Sequence, residues 1–203
     1  MPDPMDWGAS LPYLLMALGG GYLLGSIPFG LILARLAGLG DIRQIGSGNI
    51  GATNVLRTGN KTVAALTLLL DGAKGALAVL IAMRWGADVT VSAAFGAFIG
   101  HLFPVWIGFK GGKGIATFLG IMLALQFYVG LAACACWLAI ALITRISSLS
   151  ALAATAFTPF FFWLFDLPQL MELSLVLAAI AWLKHHENIR RILNGTEPRI
   201  GAS

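Results

Sequence analysis

Long apolar segments alternate with short polar connections along almost the whole chain. The apolar runs cover residues 11–37, 63–83, 89–109, 115–144, 149–165 and 173–183. Most of them approach the roughly 20 residues that cross the hydrocarbon core of a bilayer as an α-helix. This pattern predicts an all-α integral membrane protein, and we expect no separate soluble domain.

The run 115–144 is too long for a single span. At about 1.5 Å per residue it would reach ~45 Å, well beyond a hydrocarbon core of ~30 Å. A break near Gln126, Phe127 and Tyr128 divides it into two short helices and places Arg145 with the other basic residues. We therefore predict seven transmembrane helices in one polytopic domain over residues 1–203.

Composition and charge fix the expected orientation. Only 11% of residues are charged and the mean hydropathy is +0.85, which is too apolar for a soluble domain. Of 13 Lys and Arg, 11 fall in five clusters: Arg35/Arg43, Arg57/Lys61, Lys110/Lys113, Arg145 and Lys184/Arg190/Arg191/Arg199. Such clusters favour the cytoplasmic side. The opposite connections carry Asp3, Asp6, Asp88, Asp166 and Glu172 against Arg84.

The N-terminus is therefore expected outside and the C-terminus in the cytoplasm. Asp3 and Asp6 also stand where a signal peptide would carry basic residues, so we expect no signal peptide.

A polar stretch at residues 46–57 reads GSGNIGATNVLR. Its glycines allow backbone N–H groups to form an anion-binding nest, and Arg57 adds a planar fork that suits phosphate. An ordinary flexible loop is the alternative. Gly46, Gly48 and Gly51 also match G-x-G-x-x-G, with Asp71 twenty residues on, but the predicted flanking membrane helices exclude a dinucleotide-binding βαβ unit.

A second stretch, GFKGGKGIAT at residues 108–117, places Gly111, Gly112 and Gly114 around Lys113 just before an apolar helix. Free N–H groups and a positive charge at a helix start favour an anion. The spacing does not fit a Walker A loop. Upstream, His101 is expected well inside the preceding span, where a structural and a functional role are equally open.

The third stretch, KHHENIRRILNGTE, covers residues 184–197. At helical spacing His185 and Asn188 share a face, which we expect to point inward, and Glu187 can pair with Arg191. A solvated basic tail is the alternative. H-E-x-x-H is not matched, because position 190 is arginine.

Two pairs of reactive residues lie within the apolar runs. Asp71 and Lys74 share a helical face at membrane depth, either as a structural ion pair or as substrate contacts. Cys134 and Cys136 have no basic neighbour in sequence to activate a thiolate. We expect neither cysteine to be a nucleophile, a metal ligand or part of a disulfide.

Taken together, these motifs resemble one family closely: the bacterial acyl-phosphate:glycerol-3-phosphate acyltransferases, or PlsY family. The matching stretches are GSIPFG (25–30), DIRQIGSGNIGATNVLR (41–57), DGAKG (71–75), GHLFP (100–104) with FKGGKGIAT (109–117), RISSLSAL (145–152) and HHENIRRILNGTE (185–197). The resemblance implies a seven-helix enzyme of the bacterial inner membrane with its site at the cytoplasmic face. Its implied product is lysophosphatidic acid, the first acylated intermediate of phospholipid synthesis.

The resemblance also implies roles for individual residues. Glycerol 3-phosphate is expected on Ser47, Arg57, Lys113, His185 and Asn188. The acyl phosphate is expected on Asn49, Gly51, Ala52, Thr53 and Asn54, largely through backbone N–H groups. Gly111, Gly112 and Gly114 contribute to substrate binding, and Ser147 and Ser148 line the same pocket. We expect no cofactor, metal or nucleic acid; the partners are the two substrates and membrane lipids.

The expected chemistry is direct attack by the acceptor hydroxyl on the acyl phosphate, without an acyl-enzyme, because this mixed anhydride already has a good leaving group. Either His185 or the acceptor's own phosphate can take the proton, and we favour the phosphate. H-x-x-x-x-D of thioester-using acyltransferases is not matched, since Trp106, Arg190 and Arg191 follow the three histidines at that spacing. Small cytoplasmic loops likewise favour a small donor head group.

Two other functions share some of these sequence features. A transporter of an anionic solute would use glycine-rich helix ends in a similar way. It is disfavoured because the outer connections, 84–89 and 166–172, are short and carry no donor cluster. A CDP-alcohol phosphotransferase is excluded because the aspartates for two metals are missing around Asp71.

Overall fold

The chain is described over residues 7–201 by a computed structural model. Between these ends it forms helices, short 3₁₀ turns and loops, and contains no strand. The helices are α1 Trp7–Gly25, α2 Phe29–Leu36, α3 Ala52–Leu56, α4 Lys61–Ala82, α5 Ala87–Leu102, α6 Ile115–Leu125, α7 Phe127–Thr144, α8 Ser147–Leu164, α9 Pro168–Lys184 and α10 His186–Leu193. The all-α prediction is confirmed for this part of the chain. Asp3 and Asp6 lie outside the described residues.

The first apolar run is interrupted, which the pattern did not predict. α1 ends at Gly25 and α2 begins only at Phe29. Pro28 causes the break, because its ring disfavours a helical conformation at Ile27 and it has no N–H to donate. α2 then packs against α4 and leaves Arg35 exposed.

The break within 115–144 is confirmed. α6 ends at Leu125, Gln126 is extended with φ −152° and ψ 107°, and α7 begins at Phe127. The Gln126 side chain caps α7 by accepting hydrogen bonds from the backbone N–H groups of Tyr128 (2.7 Å) and Val129 (3.5 Å). Because a side-chain cap satisfies otherwise unpaired N–H groups, Gln126 stabilises the start of the second helix.

Five segments of the described chain are long and apolar enough to cross a membrane. They are Gly8–Leu36, Lys61–Trp85, Ala87–Ile107, Phe127–Thr144 and Ser147–Leu164. α6 and α9 are shorter, with 11 and 17 residues. Large apolar side chains such as Leu69, Leu142 and Ile143 cover the outer surface, where a soluble protein would carry polar groups.

The bundle interior joins helices that are distant in sequence. α1 packs on α5, α4 on α6, and α8 on both α7 and α9. Phe98, Phe118 and Phe162 are fully buried among them. α4 and α6 approach closely, since a Cβ atom on Gly120 would overlap the backbone of Gly72.

A smaller apolar cluster anchors the loop that precedes α4. It contains Leu31 and Ala34 of α2, Ile42 and Ile50 of the loop, and Val55 of α3, all nearly inaccessible to solvent. This cluster fixes both ends of the polar stretch 46–57, so the stretch is held at a defined position beside the bundle.

Candidate functional site

The polar loop 46–57 is organised around the side chain of Asn54, which is 2% exposed. Its amide nitrogen donates to the carbonyl oxygens of Ile42 (2.7 Å) and Asn49 (2.8 Å). Its amide oxygen accepts from the backbone N–H of Ser47 (3.2 Å) and from Arg57 (3.4 Å). Asn54 therefore shapes the loop and orients the exposed guanidinium of Arg57.

The same loop offers backbone donors. Gly51 gives its N–H to the side chain of Asn49 (3.1 Å), and Gly51 in turn accepts from Asn54 and Val55 at the start of α3. The N–H groups of Ala52 and Thr53 have no hydrogen-bond partner among the described residues. Two neighbouring donors of this kind suit an anionic oxygen.

The glycine-rich loop 108–114 folds back on the end of α5. Gly111 donates its N–H to the carbonyl of Leu102 (3.2 Å), and Gly112 donates to that of His101 (3.1 Å). Gly114 has φ +83°, and a Cβ atom there would overlap Phe98 and Leu102. Only glycine fits that conformation and space. The loop thereby holds Lys113 at a fixed place.

Lys113 is the centre of the positive charge. Its ammonium group donates a hydrogen bond to the side-chain oxygen of Asn188 on α10. Partial burial lowers the pKa of Lys113, and the nearby positive charges of Arg191 and Arg57 lower it further. Glu197 and Glu187 partly offset the repulsion among these cations, and an anion bound at Lys113 would offset it further.

His185 lies at the junction of α9 and α10, where it is 3% exposed. Its Nδ1 is 2.8 Å from the carbonyl oxygen of Ala181, so Nδ1 carries the proton and Nε2 remains an acceptor. Burial lowers the pKa of His185 to about 4, and the charge of Lys113 adds to the shift. Asn188 is also buried, so the prediction that both residues point inward is confirmed.

Glu197 is a site component that sequence analysis missed. Its carboxylate accepts hydrogen bonds from Ser148 (2.6 Å), Asn188 and Arg191 (2.6 Å). Burial alone would raise the pKa of Glu197, but these donors outweigh it and lower the pKa. The available signal was an acidic residue near a predicted phosphate site. A carboxylate would repel a phosphate, so Glu197 was to be expected as a hydrogen-bond partner of neighbouring side chains.

The C-terminal segment is tied to the corner between α7 and α8. Ile200 donates its N–H to the carbonyl of Arg145 (2.6 Å), and the Arg145 guanidinium donates to the carbonyl of Ile200 (3.2 Å). The predicted pair of Glu187 and Arg191 is present at 4.0 Å, although Glu197 is the shorter partner of Arg191. We call residues 194–201 the C-terminal strap. Its bonds to Arg145 hold it in place, so that Glu197 lies over the site.

Two adjacent serines connect the halves of the site. Ser147 lies 3.1 Å from the hydroxyl of Thr53, oxygen to oxygen, and Ser148 donates to Glu197. The loop 46–57 and the cluster of Lys113 and Asn188 therefore share one wall, the start of α8.

Cys134 and Cys136 lie elsewhere, on α7, as free thiols. In the described part of the chain, no three His, Cys, Asp or Glu residues are grouped as metal ligands would be.

The buried ionisable residues lie next to this site. Asp71 and Lys74 form an ion pair at 2.7 Å on α4, which is one of the two alternatives that their spacing left open. His101 is buried within the candidate span Ala87–Ile107, as expected, although α5 itself ends one residue later at Leu102. The helix ends there because the chain must turn at Pro104 into the glycine loop.

Comparisons with known proteins agree on one family. Residues 15–195 match a family model described as glycerol-3-phosphate acyltransferase. The chain is 62% identical over 182 residues to a glycerol-3-phosphate acyltransferase of Cereibacter sphaeroides, covering 89% of this chain and 87% of that one. It is 57% identical over 199 residues to the protein of the same description from Rhizobium meliloti, covering 98% of each.

Two solved structures have a similar fold. The crystal structure of PlsY, described as an integral membrane glycerol 3-phosphate acyltransferase in its glycerol 3-phosphate form, is 39% identical, with a TM-score of 0.87 and 96% of each chain covered. The lysophosphatidic acid form of PlsY is 38% identical, with a TM-score of 0.85 and the same coverage.

Proposed function

Because this chain belongs to the glycerol-3-phosphate acyltransferase family of integral membrane proteins, we propose that it takes its acyl group from a fatty acyl phosphate. The acyl group passes to the 1-hydroxyl of glycerol 3-phosphate, and the products are lysophosphatidic acid and inorganic phosphate. The observation that carries this proposal is the convergence of Arg57 and Lys113 beside Asn188, next to a loop with open N–H groups. Two phosphates need two such neighbouring sites.

Glycerol 3-phosphate is placed on the cationic side. Lys113 and Arg57 neutralise its phosphate, and Ser47 supplies a hydroxyl and Asn188 an amide. Nε2 of His185 accepts a hydrogen bond from a glycerol hydroxyl, since Nδ1 is committed to Ala181. Gly111, Gly112 and Gly114 let the loop backbone pack directly against the end of α5, where Cβ atoms would overlap, and this packing fixes the backbone that carries Lys113.

The acyl phosphate is placed on the loop 46–57. Ala52 and Thr53 offer unpartnered N–H groups, and Asn49 and Gly51 hold the turn that exposes them. Asn54 acts by fixing the loop, because its amide is already fully bonded. Ser147 and Ser148 form the wall between the two substrates.

The reaction is a direct transfer. The 1-hydroxyl oxygen attacks the acyl carbonyl carbon, a new ester C–O bond forms, and the bond from that carbon to the phosphate oxygen breaks. Inorganic phosphate leaves, and its growing negative charge is stabilised by Lys113 and Arg57. The hydroxyl proton passes to a substrate phosphate oxygen, so no protein nucleophile or base is required.

The proposed topology has seven spans, with the N-terminus outside and the site at the cytoplasmic face of the bacterial inner membrane. Charge asymmetry supports it, because Lys110, Lys113, Arg145 and Arg191 all lie on loops or helix ends beside the site. α6 and α9 complete the count as short spans, since α6 pairs with α4 and α9 packs on α8 within the bundle.

A donor comparison tests the reaction. Protein purified in detergent receives labelled glycerol 3-phosphate with equal amounts of palmitoyl phosphate, palmitoyl-CoA or palmitoyl carrier protein. We expect lysophosphatidic acid and inorganic phosphate to form in equal amounts from palmitoyl phosphate. Faster product formation from either thioester would overturn the donor assignment. An acyl group attached to the protein after incubation with palmitoyl phosphate alone would overturn direct transfer.

A further inference from the structure

Three ionisable side chains form a buried network between α4, α5 and the break after α1. Asp71 is 2% exposed, and Lys74 and His101 are 3% exposed. The Lys74 ammonium donates to the Asp71 carboxylate (2.7 Å) and to the carbonyl oxygen of Ile27 (2.7 Å). Charges at this depth are costly unless they are paired and have a function.

His101 is the third member, and its bonding is incomplete. Its Nδ1 lies 3.7 Å from the same carboxylate oxygen of Asp71, which is too long for a hydrogen bond. Nδ1 is one of two buried side-chain polar atoms in the described chain that have no hydrogen-bond partner, Ser26 Oγ being the other. A buried unpaired nitrogen points to a role beyond stability, because stability alone would favour an apolar residue there.

The other edge of the His101 ring faces the glycine loop. A Cβ atom on Gly112 would overlap Nε2, and the Gly112 N–H donates to the backbone carbonyl of His101 (3.1 Å). Gly112 directly precedes Lys113. The ring is therefore the surface on which the backbone carrying the proposed phosphate-binding lysine rests.

We propose that His101 is a positioning residue for Lys113. The carboxylate of Asp71, paired with Lys74, lies against the imidazole from inside the bundle. The imidazole supports the backbone at Gly112, and this support sets where the Lys113 ammonium meets the phosphate of glycerol 3-phosphate. The network does not touch substrate. The inference rests on the proposed binding of glycerol 3-phosphate at Lys113.

A pair of substitutions tests the contact itself. Gly112→Ala adds a methyl group that collides with His101, and its backbone φ is not one that requires glycine. We expect Gly112→Ala to raise KM for glycerol 3-phosphate about tenfold or more, with KM for acyl phosphate within about twofold of the parent value. His101→Ala alone removes the support and should also raise KM for glycerol 3-phosphate. In the double variant the two effects should not add, because both substitutions act on the same contact. A parent-like KM in His101→Ala, or strictly additive effects in the double variant, would overturn the proposal.

A second pair separates positioning from folding. Asp71→Leu/Lys74→Met replaces the buried ion pair with apolar groups of similar size, which commonly preserves stability. We expect a thermal unfolding midpoint near that of the parent but a raised KM for glycerol 3-phosphate, because the ring loses the charged group beside Nδ1. Parent-like KM and kcat would show that the ion pair serves folding alone and overturn the proposal.

Two controls complete the experiment. Thr117→Val removes a hydrogen bond to the backbone carbonyl of Asp71 (2.9 Å) and leaves the ion pair in place. It should therefore lower the thermal unfolding midpoint and leave KM for glycerol 3-phosphate unchanged. Lys113→Ala tests the proposed site separately. Full turnover of Lys113→Ala would overturn the proposed function, whereas an inactive Lys113→Ala together with parent-like His101→Ala would overturn only the role of His101.

Discussion

Lys113 and Asn188 are 75 residues apart in the chain, yet the lysine ammonium donates a hydrogen bond to the asparagine side chain. This contact joins the glycine-rich loop before α6 to the short helix that follows α9. Asn188 passes the contact on to Glu197 through its amide nitrogen. The position of the central cation is thus set from the C-terminal end of the chain as well as from its own loop.

Removal of either phosphate-facing cation should nearly abolish turnover. A preorganised charge that stabilises a developing anion is worth about 3 kcal/mol, or about a hundredfold in rate. We expect Lys113→Ala and Arg57→Ala each to lose at least that much, measured as lysophosphatidic acid formed per minute. Matched controls are Lys110→Ala in the same loop and Arg43→Ala, whose exposed pair with Asp41 is 2.5 Å long. If the two test variants kept the rates of these controls, the basic residues would serve topology alone.

Glu197 should matter far more than Glu187. Glu197 has a side chain only 7% exposed and three donors, whereas the side chain of Glu187 is 71% exposed. Hydrogen bonds to a charged group contribute about 1.5–3 kcal/mol, so Glu197→Gln should lower both the thermal unfolding midpoint and kcat. Glu187→Gln should change neither. The unfolding midpoints are measured by scanning fluorimetry and kcat by turnover assays. If both variants had the same midpoint and the same kcat, Glu197 would have no special role in the C-terminal strap.

The hydroxyls of Thr53 and Ser147 should be coupled. They are 3.1 Å apart and join the loop 46–57 to α8. In a double-mutant cycle of Thr53→Val and Ser147→Ala, we expect each substitution to lower kcat/KM for acyl phosphate less when the other is already present. The expected coupling is about 1 kcal/mol. Strictly additive effects would mean that the two sides of the site act independently.

Acid should destabilise the protein through His185. Burial lowers the pKa of this group from 6.5 to about 4, so the unfolded chain binds a proton more readily than the folded one between these values. The free energy of unfolding therefore falls as the pH drops from 6.5 to 4, by an amount on the order of 3 kcal/mol. His185→Asn should flatten the dependence of the unfolding midpoint on pH over this range. An equally steep dependence in the variant would assign the acid sensitivity to other groups.

The break between α6 and α7 should face the outside of the cell. Tyr128 is 67% exposed at the start of α7, which makes it a better labelling position than the capping residue Gln126. In an active Cys134→Ser/Cys136→Ser background, Tyr128→Cys should react with an impermeant thiol reagent in intact cells. Lys110→Cys should react only after lysis. Protection at position 128 before lysis would overturn the proposed orientation.

Local sequence rules accounted for much of the fold. The length of the run 115–144 predicted the break at Gln126, and the spacing of Asp71 and Lys74 placed both on one helical face, where they form an ion pair. The break at Pro28 was available from the same rules but was hidden, because Gly25–Gly30 is flanked by apolar residues on both sides. Likewise, the apolar run continues past Leu102, so it did not show that α5 ends there.

Residue type and near neighbours are enough to identify an apolar chain, the break at Gln126, and the glycine, lysine and arginine groups that suit phosphate. The packing of the helices decides which of these groups meet. Lys113 reaches Asn188, Thr53 reaches Ser147, and Glu197 gathers Ser148, Asn188 and Arg191. Such contacts cross 6 to 94 residues of chain and depend on how the helices pack, which no local pattern encodes.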